Sequence, residues 1–180
     1  VDFLTGIPYK WMNGPNGVGF LYVRENIIPQ VHPDRLGWMS TDDFLSLDTM
    51  ESHPLPKNAR RFEYGTLGFQ SIYALDTAID CINRLGIENI EQQNMALVNK
   101  LRERLRDRRV EFFTPERNRS PILTFYIDDE KTFGQKMKKR NIYITARRWG
   151  RGHVRISPHF YNDEEDIERF IDAFDRCFSA

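Results

Sequence analysis

The sequence is poor in the residues that build several common kinds of site. It holds two cysteines, Cys81 and Cys177, and four histidines, His32, His53, His153 and His159. No histidine stands at metal-ligand spacing from a cysteine or from a second histidine, which argues against a zinc centre. Two cysteines far apart in sequence make no disulfide framework. Both fall at apolar helical positions, which predicts buried free thiols in a reducing compartment and a cytoplasmic protein. There is no Gly-x-Ser-x-Gly elbow. Gly14, Gly17 and Gly19 match neither a phosphate loop nor a dinucleotide fingerprint, and turn geometry explains them better. No apolar run reaches membrane-spanning length, and no signal-peptide pattern is present. Lys+Arg and Asp+Glu are 26 each, so no global field draws nucleic acid or an acidic membrane. Internal repeats and low-complexity stretches are absent as well.

Hydrophobic residues make up 40% of the 180 and aromatics 13%, enough for a packed core. The length suits one domain, or one domain plus a remnant of another. The chain opens at Val1 in an apolar, strand-like run, and a piece of a longer protein is expected. Residues 1–6 read as a short buried strand, Gly14-Pro15-Asn16-Gly17 as a turn, and residues 19–24 as a second strand. Pro29, Pro33, Gly37, Pro54 and Pro56 break up residues 25–60, which read as a connecting segment with short helical pieces.

From Gln70 the apolar residues Ile72, Leu75, Ile79, Ile82 and Leu85 recur at helical spacing, so this face is expected to point inward. After Gly86 a second helix follows, with Ile90, Leu97, Val98, Leu101 and Leu105 inward. Its Lys100, Arg102, Glu103, Arg104 and Arg106 are expected to form a solvated face. The period then changes. Residues 110–113, 121–127, 142–146 and 153–157 read as strands, with a helix carrying Phe133 and Met137 over residues 129–140. A terminal helix starts at Asn162 with Glu165 as its capping-box partner and carries the stripe Ile167, Phe170, Ile171, Phe174 and Phe178. Strands covered by helices make an α/β fold.

Two basic features bear on function. Lys10 stands between Tyr9 and Trp11. Its stem can lie on the rings while its head stays in water. Its amine can also be held for Schiff-base chemistry by apolar surroundings that lower its pKa. Arg147, Arg148, Arg151 and Arg155 surround Trp149. They read as a solvated basic loop over residues 147–152, or as a phosphate or RNA patch. Arg155 differs, because it lies in a strand whose Val154 and Ile156 point the opposite way. It suits a bidentate carboxylate clamp or a structural ion pair.

Three segments together resemble the class V aminotransferase family of pyridoxal-phosphate enzymes. They are Asp2-Phe3-Leu4 through Tyr9-Lys10-Trp11 to Val18-Gly19-Phe20; Arg61-Phe62-Glu63-Tyr64-Gly65-Thr66; and Val154-Arg155-Ile156-Ser157-Pro158-His159 through Asp163-Glu164-Glu165. The resemblance covers essentially the whole chain. It implies the C-terminal portion of a fold-type I transferase dependent on pyridoxal 5'-phosphate. Residues 1–60 would be a remnant of the large-domain sheet with its connecting segment, and residues 61–180 a small α/β sandwich domain. It further implies that Lys10 carries the cofactor. Gly65 and Thr66 would reach the cofactor phosphate of a partner subunit in a homodimer, and Arg155 would hold the α-carboxylate of an amino-acid substrate. The reaction would be transamination, elimination or epimerisation.

The departures are specific. Tyr9 stands where many relatives have histidine. Residues 147–152 hold no cysteine, which disfavours desulfurase activity. Family members are about twice this length, and the groups that tune the cofactor belong to the other half. The isolated chain is therefore expected to be inactive. The alternative is a non-catalytic dimerisation or interaction module, and an RNA-binding module is weaker because the net charge is zero.

Overall fold

The computed structural model describes residues 1–42 and 55–178. His53 and Pro54 lie outside the described residues. The chain divides into two compact units, Val1–Arg84 and Leu85–Ala180.

The first unit begins with an antiparallel ribbon of β1, Phe3–Gly6, and β2, Phe20–Val23, in register from Phe3↔Val23 to Gly6↔Phe20. Both strands were expected, but β1 was expected to be buried. Instead Phe3, Leu4, Phe20, Leu21 and Tyr22 are exposed, and only Val23 is buried. A two-stranded ribbon buries its faces only where a further layer lies on them.

Prolines keep the next stretch to short 3-10 turns, Glu25–Gln30, Trp38–Ser40 and Ala59–Phe62. Buried Arg61 anchors them by donating from Nη1 to the carbonyls of Ile28 and Val31. Helix α1, Phe69–Leu85, starts within one residue of its expected position. Its apolar stripe does not face a core. No residue of α1 is buried, and Ile72, Ile79 and Leu85 are exposed. Cys81 is exposed and Cys177 half-buried, which corrects the expectation of two buried thiols. Periodicity specifies which side of a helix is apolar, but burial also needs a neighbour on that side.

The second unit has that neighbour. Helices α2 (Ile87–Arg106), α3 (Glu130–Lys138) and α4 (Glu164–Phe178) enclose a core with the antiparallel sheet of β3 (Leu123–Tyr126), β4 (Thr145–Trp149) and β5 (Arg151–Ile156). The sheet order is β3-β5-β4. The inward residues expected on α2 are all buried, as are Ile167, Phe170, Ile171 and Phe174 of α4. Phe133 and Met137 of α3 join them. Phe178 remains exposed but lies against the Phe174 ring, with centroids 4.9 Å apart.

Three local expectations change. Residues 110–113 form no strand beyond a single bridge, Phe112↔Phe125. The strand expected at 142–146 begins at Thr145 and continues to Trp149. The cap of α4 is Asp163, whose Oδ1 accepts the Asp166 backbone N–H at 2.9 Å. Asn162 instead closes the preceding turn, accepting the His159 N–H at 3.0 Å.

Candidate functional site

Lys10 sits on the turn that follows β1. Its carbonyl accepts the Asn13 N–H at 3.2 Å, and its side chain is exposed. The Nζ lies 5.5 Å from the Tyr9 ring centroid. No carboxylate pairs with it among the described residues. The amino group is thus wet, beside the Tyr9 ring and without an ion pair among the described residues.

Gly65 and Thr66 follow the turn Ala59–Phe62. The Trp38–Ser40 turn braces the approach to them. Ser40 Oγ donates to the Glu63 carbonyl at 2.5 Å and accepts the Gly37 N–H at 3.1 Å. Gly37 packs so closely on the Tyr64 backbone that a Cβ there would overlap it. Sequence reading took Gly37 for a simple interruption and missed this contact. Only the pairing of two distant segments reveals it. The Thr66 hydroxyl is exposed and makes no hydrogen bond among the described residues.

Arg155 belongs to the second unit. Lys10, Gly65 and Thr66 all belong to the first. Residues 147–152, expected to be a loop, are the ends of β4 and β5 closing on Gly150. Gly150 has φ 65°, which permits the tight reversal between paired Trp149 and Arg151. Alternation along the strands then sorts the arginines by face. Arg148 points toward α3 and grips buried Glu130 with two bonds, 3.1 and 2.7 Å, and also donates to the Asp128 carbonyl at 2.8 Å. Arg151 points the other way. It pairs with Glu111 at 2.7 Å and lies over the Tyr126 ring at 4.2 Å. That hydrogen bond holds the Glu111 carboxyl below its usual range and raises Arg151.

Arg147 and Arg155 share the Arg151 face. Arg155 is exposed, and among the described residues its side chain makes one hydrogen bond, to Thr145, with Nη2 3.4 Å from Oγ1. Neither has a carboxylate partner among the described residues. A planar guanidinium free on a rigid strand can take a carboxylate bidentately.

Arg102 was misplaced by sequence reading. It is buried, not solvated. It donates to the carbonyls of Thr114 and Pro115 at 3.1 and 3.0 Å and stacks on Phe112. Burial, the largest effect on it, lowers its pKa. A separate cavity of about 910 Å³ in the second unit is lined by Phe133, Phe174, Cys177 and Arg151. None of Lys10, Gly65, Thr66 or Arg155 lines it. Among the described residues no group of three His, Cys, Asp or Glu side chains is gathered to hold a metal. No helix among them is long and apolar enough to cross a membrane.

The architecture matches solved structures of one class. A cysteine desulfurase from Thermococcus onnurineus NA1, solved in its apo form, superposes with TM-score 0.86 at 28% identity, over 98% of this chain and 46% of that one. A variant of the C-DES lyase, solved with glycine covalently linked to its PLP cofactor, gives TM-score 0.82 at 22% identity, over 96% of this chain and 45% of that one. The fold is that of the C-terminal part of a fold-type I transferase. The aminotransferase class-V family model matches residues 1–170, and the chain belongs to that family. An uncharacterized aminotransferase of Bacillus subtilis (strain 168), YcbU, is 26% identical over 96% of this chain and 44% of its own length. The chain thus spans about half the length of the relatives it matches.

Proposed function

We propose that the 180 residues are part of a pyridoxal 5'-phosphate-dependent enzyme acting on an amino acid. The observation that carries this reading is Arg155, an exposed guanidinium on a rigid strand with no carboxylate partner among the described residues. Within a class V chain, such a group is suited to hold a substrate α-carboxylate.

The donor set on the first unit fits the cofactor. A carbonyl-bearing phosphate ester needs a primary amine to carry it, and backbone N–H and hydroxyl donors for its phosphate. Lys10 supplies an amine with no ion pair among the described residues. Gly65 lets an anion approach the backbone, and Thr66 supplies an exposed hydroxyl. Lys10 would hold the cofactor, and Gly65 and Thr66 would meet the phosphate of a second copy of the chain in a homodimer. When bound, the cofactor supplies an electron sink for charge developing at the substrate α-carbon. Lys10 Nζ would take up and return a proton there. Arg155 fixes the α-carboxylate and so orients the bond to be broken.

Transamination, elimination and epimerisation fit these residues better than desulfuration. The β4–β5 hairpin has no cysteine to act as sulfur acceptor, although several relatives carry the desulfurase name. The test is the visible absorbance of lysine-bound cofactor in the intact gene product after adding pyridoxal phosphate. The band is expected in the wild type and lost in Lys10→Ala. A wild type that takes up no cofactor overturns the proposal.

A second reading, a non-catalytic interaction module, draws on the exposed apolar side chains of the first unit, among them Phe3, Leu21 and Tyr22. It requires self-association without cofactor uptake.

A further inference from the structure

We propose that Arg147 is a second anion-binding residue beside Arg155, and that the site takes an α-amino acid whose side chain ends in a carboxylate. The proposal deepens the reading of Arg155 as the α-carboxylate clamp and, for its substrate class, rests on it.

Register places the two arginines together. Arg155 of β5 is paired with Thr145 of β4, and His153 of β5 with Arg147. Directly paired residues share a face, and so do residues two apart on one strand. Arg147 and Arg155 are therefore diagonal neighbours on adjacent strands, with Cα atoms about 7–8 Å apart by standard sheet geometry. That spacing lets two long guanidinium side chains converge on one short ligand or diverge to its two ends.

The charge balance of the hairpin singles out this pair. Four arginines lie on β4 and β5, and two are neutralised. Arg148 is held by Glu130 and Arg151 by Glu111. Among the described residues Arg147 and Arg155 have no carboxylate partner, and no acidic residue occurs in any of the three strands of the sheet. The chain as a whole is balanced, 26 against 26. Two uncompensated like charges on neighbouring strands repel, weakly because both are exposed to solvent. An anionic ligand bridging them removes that repulsion. The surroundings add a hydroxyl, and the Glu111 carboxylate on this face is taken up by Arg151. Thr145 Oγ1 lies 3.4 Å from Arg155, and the His153 ring separates Arg147 from Tyr126 along the same row.

A monocarboxylic substrate would satisfy Arg155 and leave Arg147 unpaired. A substrate with a carboxylate at each end would satisfy both. Each charge-assisted contact is strong enough to discriminate by about tenfold or more.

The experiment compares succinate with butyrate, four-carbon acids that differ in the second carboxylate, binding to the 180-residue chain. Titration calorimetry gives the affinities, and amide chemical shifts of β4 and β5 give the location. Succinate is expected to bind about tenfold more tightly than butyrate, with shifts centred on residues 145–155. Arg147→Gln should bring the two acids within about twofold, Arg147→Lys should restore part of the preference, and Arg151→Gln should leave the ratio unchanged. Equal binding of both acids by the wild type overturns the proposal. So does a preference that survives Arg147→Gln. Loss of the succinate preference with the visible cofactor band intact sinks this proposal alone. A succinate preference without cofactor uptake sinks the enzymatic reading and leaves the anion pair standing.

Discussion

Arg102 and Arg155 occupy polar positions of regular elements, yet one is built into the fold and the other is left open. Arg102 closes the carbonyls of Thr114 and Pro115 from inside. Arg102→Ala would leave both acceptors without their donor, and about 2–3 kcal/mol of stability should be lost in a urea titration. Arg155→Gln should leave that titration unchanged, because it removes only an exposed contact to Thr145. It should instead raise KM for the amino acid about 10- to 100-fold in the cofactor-loaded gene product. A large loss of stability in Arg155→Gln would mark it as structural. Asp175 gives the pH dependence. Its hydrogen bonds with Arg108 hold its carboxyl below the usual range. A depressed carboxylate contributes stability that is full above its unfolded value, about 4, and is lost as pH falls through the lower folded value. The thermal midpoint of the second unit should therefore fall below about pH 4, and Asp175→Asn should flatten that limb.

Among the elements, α1 and α4 show what a period does and does not determine. Both carry an apolar stripe, and both helices form where the stripe predicts. The α4 stripe meets α2, α3 and the sheet, and all its members but Phe178 are buried. The α1 stripe meets too little and stays open. Arg102 was misread for a related reason. Its position in a charged run says nothing of two carbonyls twelve and thirteen residues away. The hairpin was misread as a loop because its arginines carry no strand propensity. Cross-strand pairing decided the outcome instead. Gly37 provides an element-level prediction. A Cβ there would collide with the Tyr64 backbone, so Gly37→Ala must separate the Trp38–Ser40 turn from the segment leading to Gly65. Cofactor uptake by the intact gene product should weaken while the amide shifts of the second unit stay unchanged. Unaltered uptake would separate Gly65 and Thr66 from the phosphate.

At the scale of the whole molecule, the two units differ in how much they bury. The second has a continuous core from Leu97 to Phe174. The first exposes much of its ribbon and α1. In hydrogen exchange of the 180-residue chain, the amides of β1, β2 and α1 should exchange well before those of α2, β5 and α4. Equal protection in both units would count against this picture. The family was legible from three short segments, because their residues are tied to chemistry and to tight turns. The relation of those segments to burial was not legible. Lys10 was expected beside two rings, and it stands exposed beside Tyr9. More than half of each relative named above lies outside this chain, so composition alone could not foretell which apolar faces would be covered.

Arg147 and Arg148 are adjacent in sequence and opposite in orientation. The pleat sends one to the open face and the other to Glu130. Under mutation and selection the two positions should therefore drift on separate terms. Position 147 can be varied to retune which ligands are preferred with little effect on folding, and position 148 is constrained by folding with little effect on preference. A library randomised at both should return many residues at the first and few at the second when screened for folded protein, which makes this dipeptide a convenient place to evolve new selectivity.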